Sequence, residues 1–447
     1  MKIVQAVGWY FPDRTGGTEI YVAGLARRLR ARGHDVAVVA PEPGALAPRS
    51  YVHEGTPVHR FPIPARLTRD QAQGRKPIPG AEWFTRWIRD ARPDVVHFHT
   101  LVPGLDVNEI CAVKSDGSPR VIATTHSSRL GHICARGTLM QWGEHVCDGI
   151  AAPAKCAACD LHKRGLPKPA ARVAALVPPA LADRLRHIPG KAGTALGMTA
   201  AMTFDAFRHQ RLLAAVDRLV LLTAAAADIV ERNGAPRGKV VLNRLGIDVD
   251  AHRSAPGSTG RGRPARRTTL PVRIGYVGRF DEIKGVFELA KAIRLLPPSL
   301  PVAIDIRGPI DTDDSRTIRD QIRALLAGDV RVAIGTPLSP ADVMAHLASL
   351  DVLCCPSVCL EGGPTVAIEA RAAGTPVLGS RIGGLAELIE DGVNGRLVPP
   401  GDIHALASAI VEIAANPTMT VDRWRAALPE PRTMDDVVND YLELYVA

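Results

Sequence analysis

Glu361 and Glu369 stand eight positions apart in the stretch Glu361-Gly362-Gly363-Pro364-Thr365-Val366-Ala367-Ile368-Glu369-Ala370. The apolar spacing predicts a helix over 365–373, with Pro364 at its first position, where a missing N–H costs nothing. Gly362 and Gly363 let a ligand approach the bare backbone. The helix start adds unpaired N–H groups and a partial positive charge. That combination suits a phosphate. Two carboxylates beside a phosphate are costly unless they bind hydroxyls, such as those of the ribose and sugar of a nucleotide-sugar. Spacing alone serves equally well for a capped helix with a chance glutamate in its second turn.

Two further loops carry groups of the right kind. Gly278-Arg279-Phe280-Asp281-Glu282-Ile283-Lys284-Gly285 follows an apolar run at 273–277 and opens a helical run at 286–296. Arg279 and Lys284 therefore leave one strand end, a position for gripping a diphosphate: arginine forks onto phosphate oxygens and lysine acts as a point charge. Taken alone, they read equally as surface cations. Asp13-Arg14-Thr15-Gly16-Gly17-Thr18-Glu19 lies between the first strand and the first helix, where Gly16 and Gly17 expose backbone N–H groups. It is neither a Gly-x-Gly-x-x-Gly fingerprint nor a Walker A loop. His97, His99 and His126 sit at the ends of two predicted strands, and His126 is placed to donate to a sugar hydroxyl or steady a substrate. No Ser-His-Asp or Cys-His arrangement supports nucleophilic hydrolysis.

Cys134, Cys147, Cys156 and Cys159 fall within one short segment, the last two as Cys-x-x-Cys. In a cytosolic chain such a group reads as a metal site before disulfides. A small Cys₄ zinc knuckle would staple an insertion without a core of its own. Free thiols are the alternative, because the upstream spacings match no standard finger. His132, His145 and His162 are substitute ligands. Cys111, Cys354, Cys355 and Cys359 read as strand or core residues.

The elements that must position these groups are short apolar strands alternating with longer helical runs, the pattern of doubly wound α/β domains. Strands are predicted at 2–7, 35–40, 95–99, 121–125, 218–223, 272–277, 302–307 and 330–334. Helices are predicted at 19–32, 198–217, 286–296, 318–326 and 434–446. Residues 151–193 have the composition of an insertion, and 255–267 that of a linker. Ligands in such sheets bind at the carboxyl ends of the strands, where these loops lie.

Size and composition allow two or three domains: 447 residues, 46% hydrophobic and 23% charged. The formal charge of +9 is uneven, with 33 basic and 20 acidic residues in 1–240 and 22 and 26 in the remainder. A basic first half suits either an anionic acceptor or membrane surface, or a dispersed arginine-rich face in water. Nucleic acid is a poor partner, since aromatics are 4% and no recognition motif occurs. No apolar run reaches the roughly 18 residues of a membrane span. The first residues lack a signal-peptide core. The expected location is cytoplasmic, at most peripheral to the inner face of the membrane.

Together these motifs resemble the retaining GT-B glycosyltransferases of group 1, the GT4-like family. The phrases that carry the resemblance are Gly16-Gly17-Thr18-Glu19, Arg32-Gly33-His34-Asp35-Val36, Pro93-Asp94-Val95-Val96-His97-Phe98-His99 and Thr125-His126. They continue with Gly246-Ile247-Asp248, Val277-Gly278-Arg279, Lys284-Gly285, Asp351, Pro356-Ser357, Glu361–Glu369, Ala373-Gly374-Thr375-Pro376-Val377, Gly383-Gly384, Glu387 and Gly392-Val393-Asn394-Gly395. The resemblance implies two Rossmann-like doubly wound domains facing an interdomain cleft. It divides the chain into an acceptor-side domain over 1–240 with a Cys-rich insertion near 130–195, a nucleotide-sugar domain over 241–430, and a helix in 431–447 crossing back to the first. It assigns Arg279 and Lys284 to the donor diphosphate without an obligatory metal, Glu369 to the ribose and Glu361 to the donor sugar. Gly362, Gly363, Pro364 and Thr365 complete the donor loop, and Gly16, Gly17 and His126 face the transferred sugar from the other domain. The implied partners are a UDP- or GDP-sugar and a glycan, lipid-linked or small-molecule acceptor. The implied cofactor set is empty apart from a structural zinc. A 2-epimerase and a non-catalytic sugar-nucleotide-binding module are the alternatives. The chain departs from many relatives at Ser127, where His-Asp is common. It departs again at Asn243-Arg244-Leu245-Gly246-Ile247-Asp248, and at Gly363, where an aromatic is frequent. The cysteine-rich insertion also resembles one found in part of the family.

Overall fold

A computed structural model describes residues 1–13, 16–115, 119–248, 268–363 and 365–446. The linker composition at 255–267, Pro364, and Arg14 and Thr15 of the first glycine loop lie outside the described residues. The chain divides into two compact units, one made of Met1–Arg244 with Asp435–Ala447 and the other of Leu245–Met434.

In the first unit the strands are β1 (Lys2–Ala6), β2 (Asp35–Pro43), β3 (Arg49–His53), β4 (Thr56–Ile63), β5 (Val95–Phe98), β6 (Arg120–Thr125), a hairpin of β7 (Met140–Gln141) and β8 (His145–Val146), then β9 (Arg218–Leu221) and β10 (Val240–Leu242). Eight of them form one sheet in the order β10-β9-β6-β5-β1-β2-β4-β3. Every pairing in it is parallel except that of β3 with β4 at the edge. Runs such as Val36-Ala37-Val38-Val39 and Val121-Ile122-Ala123 explain this: a parallel strand is covered on both faces, so its sequence is apolar without alternation. Sequence order reverses between β1 and β5, which makes the loops after these strands the ligand-facing ones. The loop after β1 carries Gly16 and Gly17. The turn after β5 begins with His99.

In the second unit β11 (Val272–Val277), β12 (Val302–Arg307), β13 (Val332–Ile334), β14 (Val352–Cys355), β15 (Val377–Ser380) and β16 (Gly395–Val398) form an all-parallel sheet ordered β13-β12-β11-β14-β15-β16. This is the 3-2-1-4-5-6 order of a dinucleotide-type fold, with its reversal between β11 and β14. Lys284 follows β11 and Glu361 follows β14, so the two loops that flank the reversal carry the two groups. Side chains of Ile274, Ile304, Val352 and Leu378 pack with those of the helices Val286–Arg294 and Ile403–Ala415 in one buried cluster. Gly275 in β11 is required there, because a Cβ would stand 2.2 Å from Leu350 Cδ1.

The segment expected to lack a core has one. It folds into the helices Pro153–Lys163, Lys168–Ala174, Pro179–Leu185 and Gly190–Leu196 ahead of the helix Met198–Ala215. Proline at the first or second position starts three of them, where its fixed φ is pre-set for the helix. Ala157, Leu161, Ala171, Met198 and Met202 meet in a small buried cluster. Small alanine side chains hid this core from the periodicity, since they read as filler rather than as an apolar stripe.

Candidate active site

The second unit brings three sequence-selected residues into one geometry. Asp281 caps the short turn Glu282–Lys284, its Oδ1 accepting the Ile283 N–H at 3.2 Å. The turn ends at Gly285, whose φ of 70° lies in the left-handed region. A Cβ there would sit 1.9 Å from the Pro356 carbonyl oxygen, so only glycine lets the β11 loop lie against the β14 loop. Val358 N–H donates to Ile283 O at 2.9 Å and holds the two loops together. Lys284 Nζ then donates to Glu361 Oε1 at 2.8 Å, and Ser357 Oγ donates to the same oxygen at 2.7 Å. Both charged side chains are largely shielded, at 26% and 11% exposure, where a charge-assisted bond is stronger than in water.

Glu361 is held by its backbone as well. Its carbonyl accepts the Gly384 N–H at 3.1 Å, and the Gly383 Cα lies so close that a Cβ would be 2.9 Å from that carbonyl. Gly363 has a φ of 109°, which excludes the aromatic that many relatives place there unless the turn changes. Thr365 opens the helix Thr365–Ala372. One helical turn on from Thr365, burial pushes the Glu369 carboxyl up to about 7. Arg279 is 60% exposed at the end of β11, 3.5 Å from Asp281 Oδ2, and its carbonyl accepts from Tyr276 Oη at 2.7 Å.

In the first unit, Gly16 is the extended residue that opens the helix Gly17–Ala31. Its Cα lies beside the Glu19 carboxylate, which a Cβ would meet at 2.7 Å. His126 ends a buried relay. Gln5 Nε2 donates to Tyr445 Oη at 3.4 Å, and Gln5 Oε1 faces His99 Nε2 at 2.6 Å. So short a contact fits N–H···O, and two nitrogens would sit farther apart. His99 therefore carries its proton on Nε2, because burial holds its pKa well below the usual value and keeps the ring neutral. Its Nδ1 is then a lone pair, and the contact of 3.2 Å to His126 Nε2 is made with the proton on His126. Burial also brings His126 down to about 4. His126 is thus neutral with an unprotonated Nδ1, so it can offer a ligand an acceptor. In this tautomer its one N–H is spent on His99.

The same relay continues through His97. His97 Nδ1 lies 2.7 Å from Tyr445 Oη and its Nε2 2.7 Å from Thr124 Oγ1, which in turn lies 2.9 Å from Tyr441 Oη. Tyr441 and Tyr445 are four apart on one face of the helix Met434–Val446, which Arg28 and Arg32 also bind through Asp435 at 3.3 and 2.8 Å. Sequence reasoning singled out the histidines but missed Gln5, Thr124, Tyr441 and Tyr445. The Tyr-x-x-x-Tyr spacing, matched to helical period, was the available signal. Ser357 was noted only as part of a family phrase, and its bond to Glu361 could not be read from spacing.

The cysteine segment is arranged differently from a four-thiolate centre. Burial is the largest cause raising the pKa of Cys147 and Cys156. Cys159 Sγ accepts the Trp142 N–H at 3.3 Å. Of the substitute ligands, His162 bonds the Leu166 carbonyl, His132 bonds Asp106, and His145 lies 3.9 Å from Glu144. Among the described residues no three His, Cys, Asp or Glu side chains are gathered to hold a metal. Cys111 lies on the helix Val107–Ser115, whereas Cys354, Cys355 and Cys359 are buried. No described helix is long and apolar enough to cross a membrane.

Two parallel doubly wound units with these loops at their strand-order reversals define the GT-B class of glycosyltransferases. Comparisons agree: residues 266–428 match "Glycosyl transferases group 1" and residues 15–176 match "Glycosyltransferase Family 4". The chain belongs to this group 1, GT4-like family of glycosyltransferases. It is 26% identical over 424 residues to a phosphatidyl-myo-inositol mannosyltransferase of Mycobacterium leprae, spanning 94% of this chain and 88% of that protein. It is 31% identical over 229 residues to a D-inositol 3-phosphate glycosyltransferase of Streptomyces avermitilis, about half of each chain at 49%. Among solved structures, sucrose-phosphate synthase from Thermosynechococcus elongatus superposes with a TM-score of 0.67 at 19% identity, covering 100% of this chain and 98% of that one. Anabaena HepE in complex with UDP-glucose superposes with a TM-score of 0.62 at 14% identity, covering 100% of both chains.

Proposed function

We propose that this enzyme transfers a hexosyl group from a UDP- or GDP-sugar to a hydroxyl of a polyol acceptor bearing an anionic or lipid-linked group, with retention of anomeric configuration. The observation that carries the reading is the Lys284–Glu361 pair at the strand-order reversal of the second unit, with Ser357 on the same carboxylate oxygen. A leaving nucleoside diphosphate gains negative charge as the glycosidic bond breaks. A shielded ammonium that is already oriented stabilises that charge without reorganising at the moment of reaction. Glu361 keeps the ammonium aimed and accepts hydroxyls of the donor sugar. Arg279 adds a second cation at the rim, Gly362 and Gly363 expose backbone to the donor, and Glu369 takes the ribose hydroxyls. In this reading the cations supply the charge and no metal is required.

On the first unit we assign the Gly16-Gly17 backbone and the His126 acceptor nitrogen to hydroxyl recognition. The inositol-bearing substrates named for the relatives motivate the acceptor class, and the basic excess in 1–240 suits its anionic group. A lipid-linked acceptor would be reached by peripheral attachment to the inner membrane face. The test is incubation with UDP- and GDP-hexoses and either inositol phosphate or phosphatidylinositol, with products read by mass spectrometry. A hexosylated acceptor supports the reading. Conversion of the donor sugar without any acceptor would replace it with an epimerase, and nucleotide binding with no turnover of any donor would reduce it to a binding module.

A further inference from the structure

The alanine-rich segment ahead of the helix Met198–Ala215 is patterned inside out. Ala171 and Ala175, at the end of the helix Lys168–Ala174, are buried, and so is Ala182 in the helix Pro179–Leu185. The large aliphatic side chains are outside. Val173 stands two positions from both Ala171 and Ala175, on the opposite side of a 3.6-residue turn, and is 68% exposed. Leu176 is 75% and Leu181 48% exposed, and Pro178, Pro179 and Ala180 between them are exposed as well. Single exposed aliphatics are ordinary on a protein surface. Here four of the eighteen exposed large apolar side chains among the described residues fall within 173–188, where even spreading would leave fewer than one. Folding alone favours the reverse order, since leucine gains more than alanine from burial.

The patch is held in place and its surroundings are basic. The Leu176 N–H donates to the Val173 carbonyl at 3.0 Å, and Thr199 Oγ1 donates to the Val177 carbonyl at 2.7 Å, which ties the turn between the two short helices to the long one. Residues 163–191 contain seven lysines and arginines against one acid, Asp183. That acid is already paired, with Arg186 Nε at 2.9 Å and Arg75 Nη1 at 3.3 Å. Arg172 and Arg184, both exposed, flank the aliphatic side chains in sequence. A single-stranded nucleic acid would call for aromatic side chains among the cations, and the patch has none. An aliphatic centre flanked by cations is complementary to acyl chains beneath anionic headgroups.

We propose that the 173–181 face docks this chain on an anionic bilayer, with Val173, Leu176 and Leu181 entering the headgroup boundary and Arg172 and Arg184 meeting lipid phosphates. Three aliphatic side chains and two cations supply the two kinds of attraction that a reversible surface contact combines. The inference bears on the lipid-linked arm of the transferase reading but does not depend on it, because docking is measured without donor or acceptor.

The test is co-sedimentation of the full-length protein with phosphatidylcholine vesicles, with and without phosphatidylserine. Neither lipid carries a sugar or polyol, so the hydroxyl site assigned at His126 has no ligand in them. Expected is binding to the phosphatidylserine vesicles that weakens as salt rises, and little binding to phosphatidylcholine alone. Leu176→Ser/Leu181→Ser keeps every charge and should lower the partition coefficient by about 10²-fold, with an unchanged thermal melt because both positions are exposed. Arg172→Gln/Arg184→Gln should lower it by about tenfold. In Leu176→Trp the added indole emission should shift to the blue on binding and be quenched by bromine on the acyl chains. No binding at low salt, binding that the serine pair leaves intact, or an indole that lipid bromine does not quench would overturn the proposal. So would a native oligomer that binds no vesicle and that the serine pair converts to monomer, which would make the patch a contact between copies.

Discussion

Lys284 Nζ and Glu361 Oε1 meet at 2.8 Å although 77 positions separate them, and each stands in a loop at the strand-order reversal of its sheet. Ser357 Oγ shares the carboxylate oxygen at 2.7 Å. The three form a charged group with a single orientation, fixed by Gly285 below and by Gly383-Gly384 behind.

Removal of either charge should therefore be non-additive. Charge-assisted bonds are worth about 1.5–3 kcal/mol, so Lys284→Ala should lower kcat/KM by roughly 10²-fold or more once the developing diphosphate charge is included. Ser357→Ala should raise the donor KM by about tenfold with a smaller effect on kcat. In the double variant Lys284→Ala/Glu361→Gln the losses should fall well short of the sum. Steady-state kinetics on the native chain, Lys284→Ala, Glu361→Gln and the double variant provide the cycle.

Glu369 sets a pH dependence. Its carboxyl is held at about 7 in the folded chain, against 4.5 ordinarily. The folded state therefore keeps a proton that the unfolded chain releases, so stability from this group is full below about pH 4.5 and is lost as pH rises through 7. Donor binding runs the other way, because ribose hydroxyls need the carboxylate as acceptor. Nucleotide affinity should rise as pH passes through about 7 and flatten above it. Glu369→Gln should abolish both trends. Calorimetric titration and thermal melts across this range report them.

The Tyr445 hydroxyl is linked to His126 through Gln5 and His99. Tyr445→Phe leaves His97 Nδ1 and Gln5 Nε2 without that partner, at a cost of about 1–3 kcal/mol. It also frees Gln5 to turn, which mixes the two His126 tautomers. Nitrogen NMR should show His126 Nδ1 as a lone pair in the native chain and an averaged signal in the variant. kcat should fall more than the donor KM changes.

Gly285→Ala should be among the most damaging single changes in the second unit. Its φ of 70° and the 1.9 Å approach to the Pro356 carbonyl leave no room for a methyl group. A stability loss of about 3 kcal/mol or more is expected, together with loss of donor binding, since the Lys284 loop must lift away. Urea unfolding measures the first and calorimetry the second.

The parallel strands were legible because their apolar runs are continuous, and the loops because glycine and charge stand where those runs stop. β2 runs on to Pro43 where the expected strand ended at Ala40, and the helix Asp313–Leu325 starts five residues earlier than its apolar positions suggested. In that helix a polar first turn, capped by Thr312, carries no periodicity. Lys284 and Glu361 were both selected from sequence, but their contact was not, because it depends on Gly285 allowing two loops to touch. The His126 tautomer was not legible for a similar reason: it is set by a neighbour's neighbour, here Gln5. The alanine-rich helices of the insertion were the largest omission, since alanine supplies helix propensity and close packing without a hydrophobic signal.

The most direct measurement is release of nucleoside diphosphate from UDP- and GDP-hexoses, with and without an inositol-bearing acceptor, by the native chain and by Lys284→Ala. Acceptor-dependent release by the native protein and a loss of about 10²-fold or more in the variant are expected. Equal turnover by the two proteins, or release that ignores the acceptor, would contradict it.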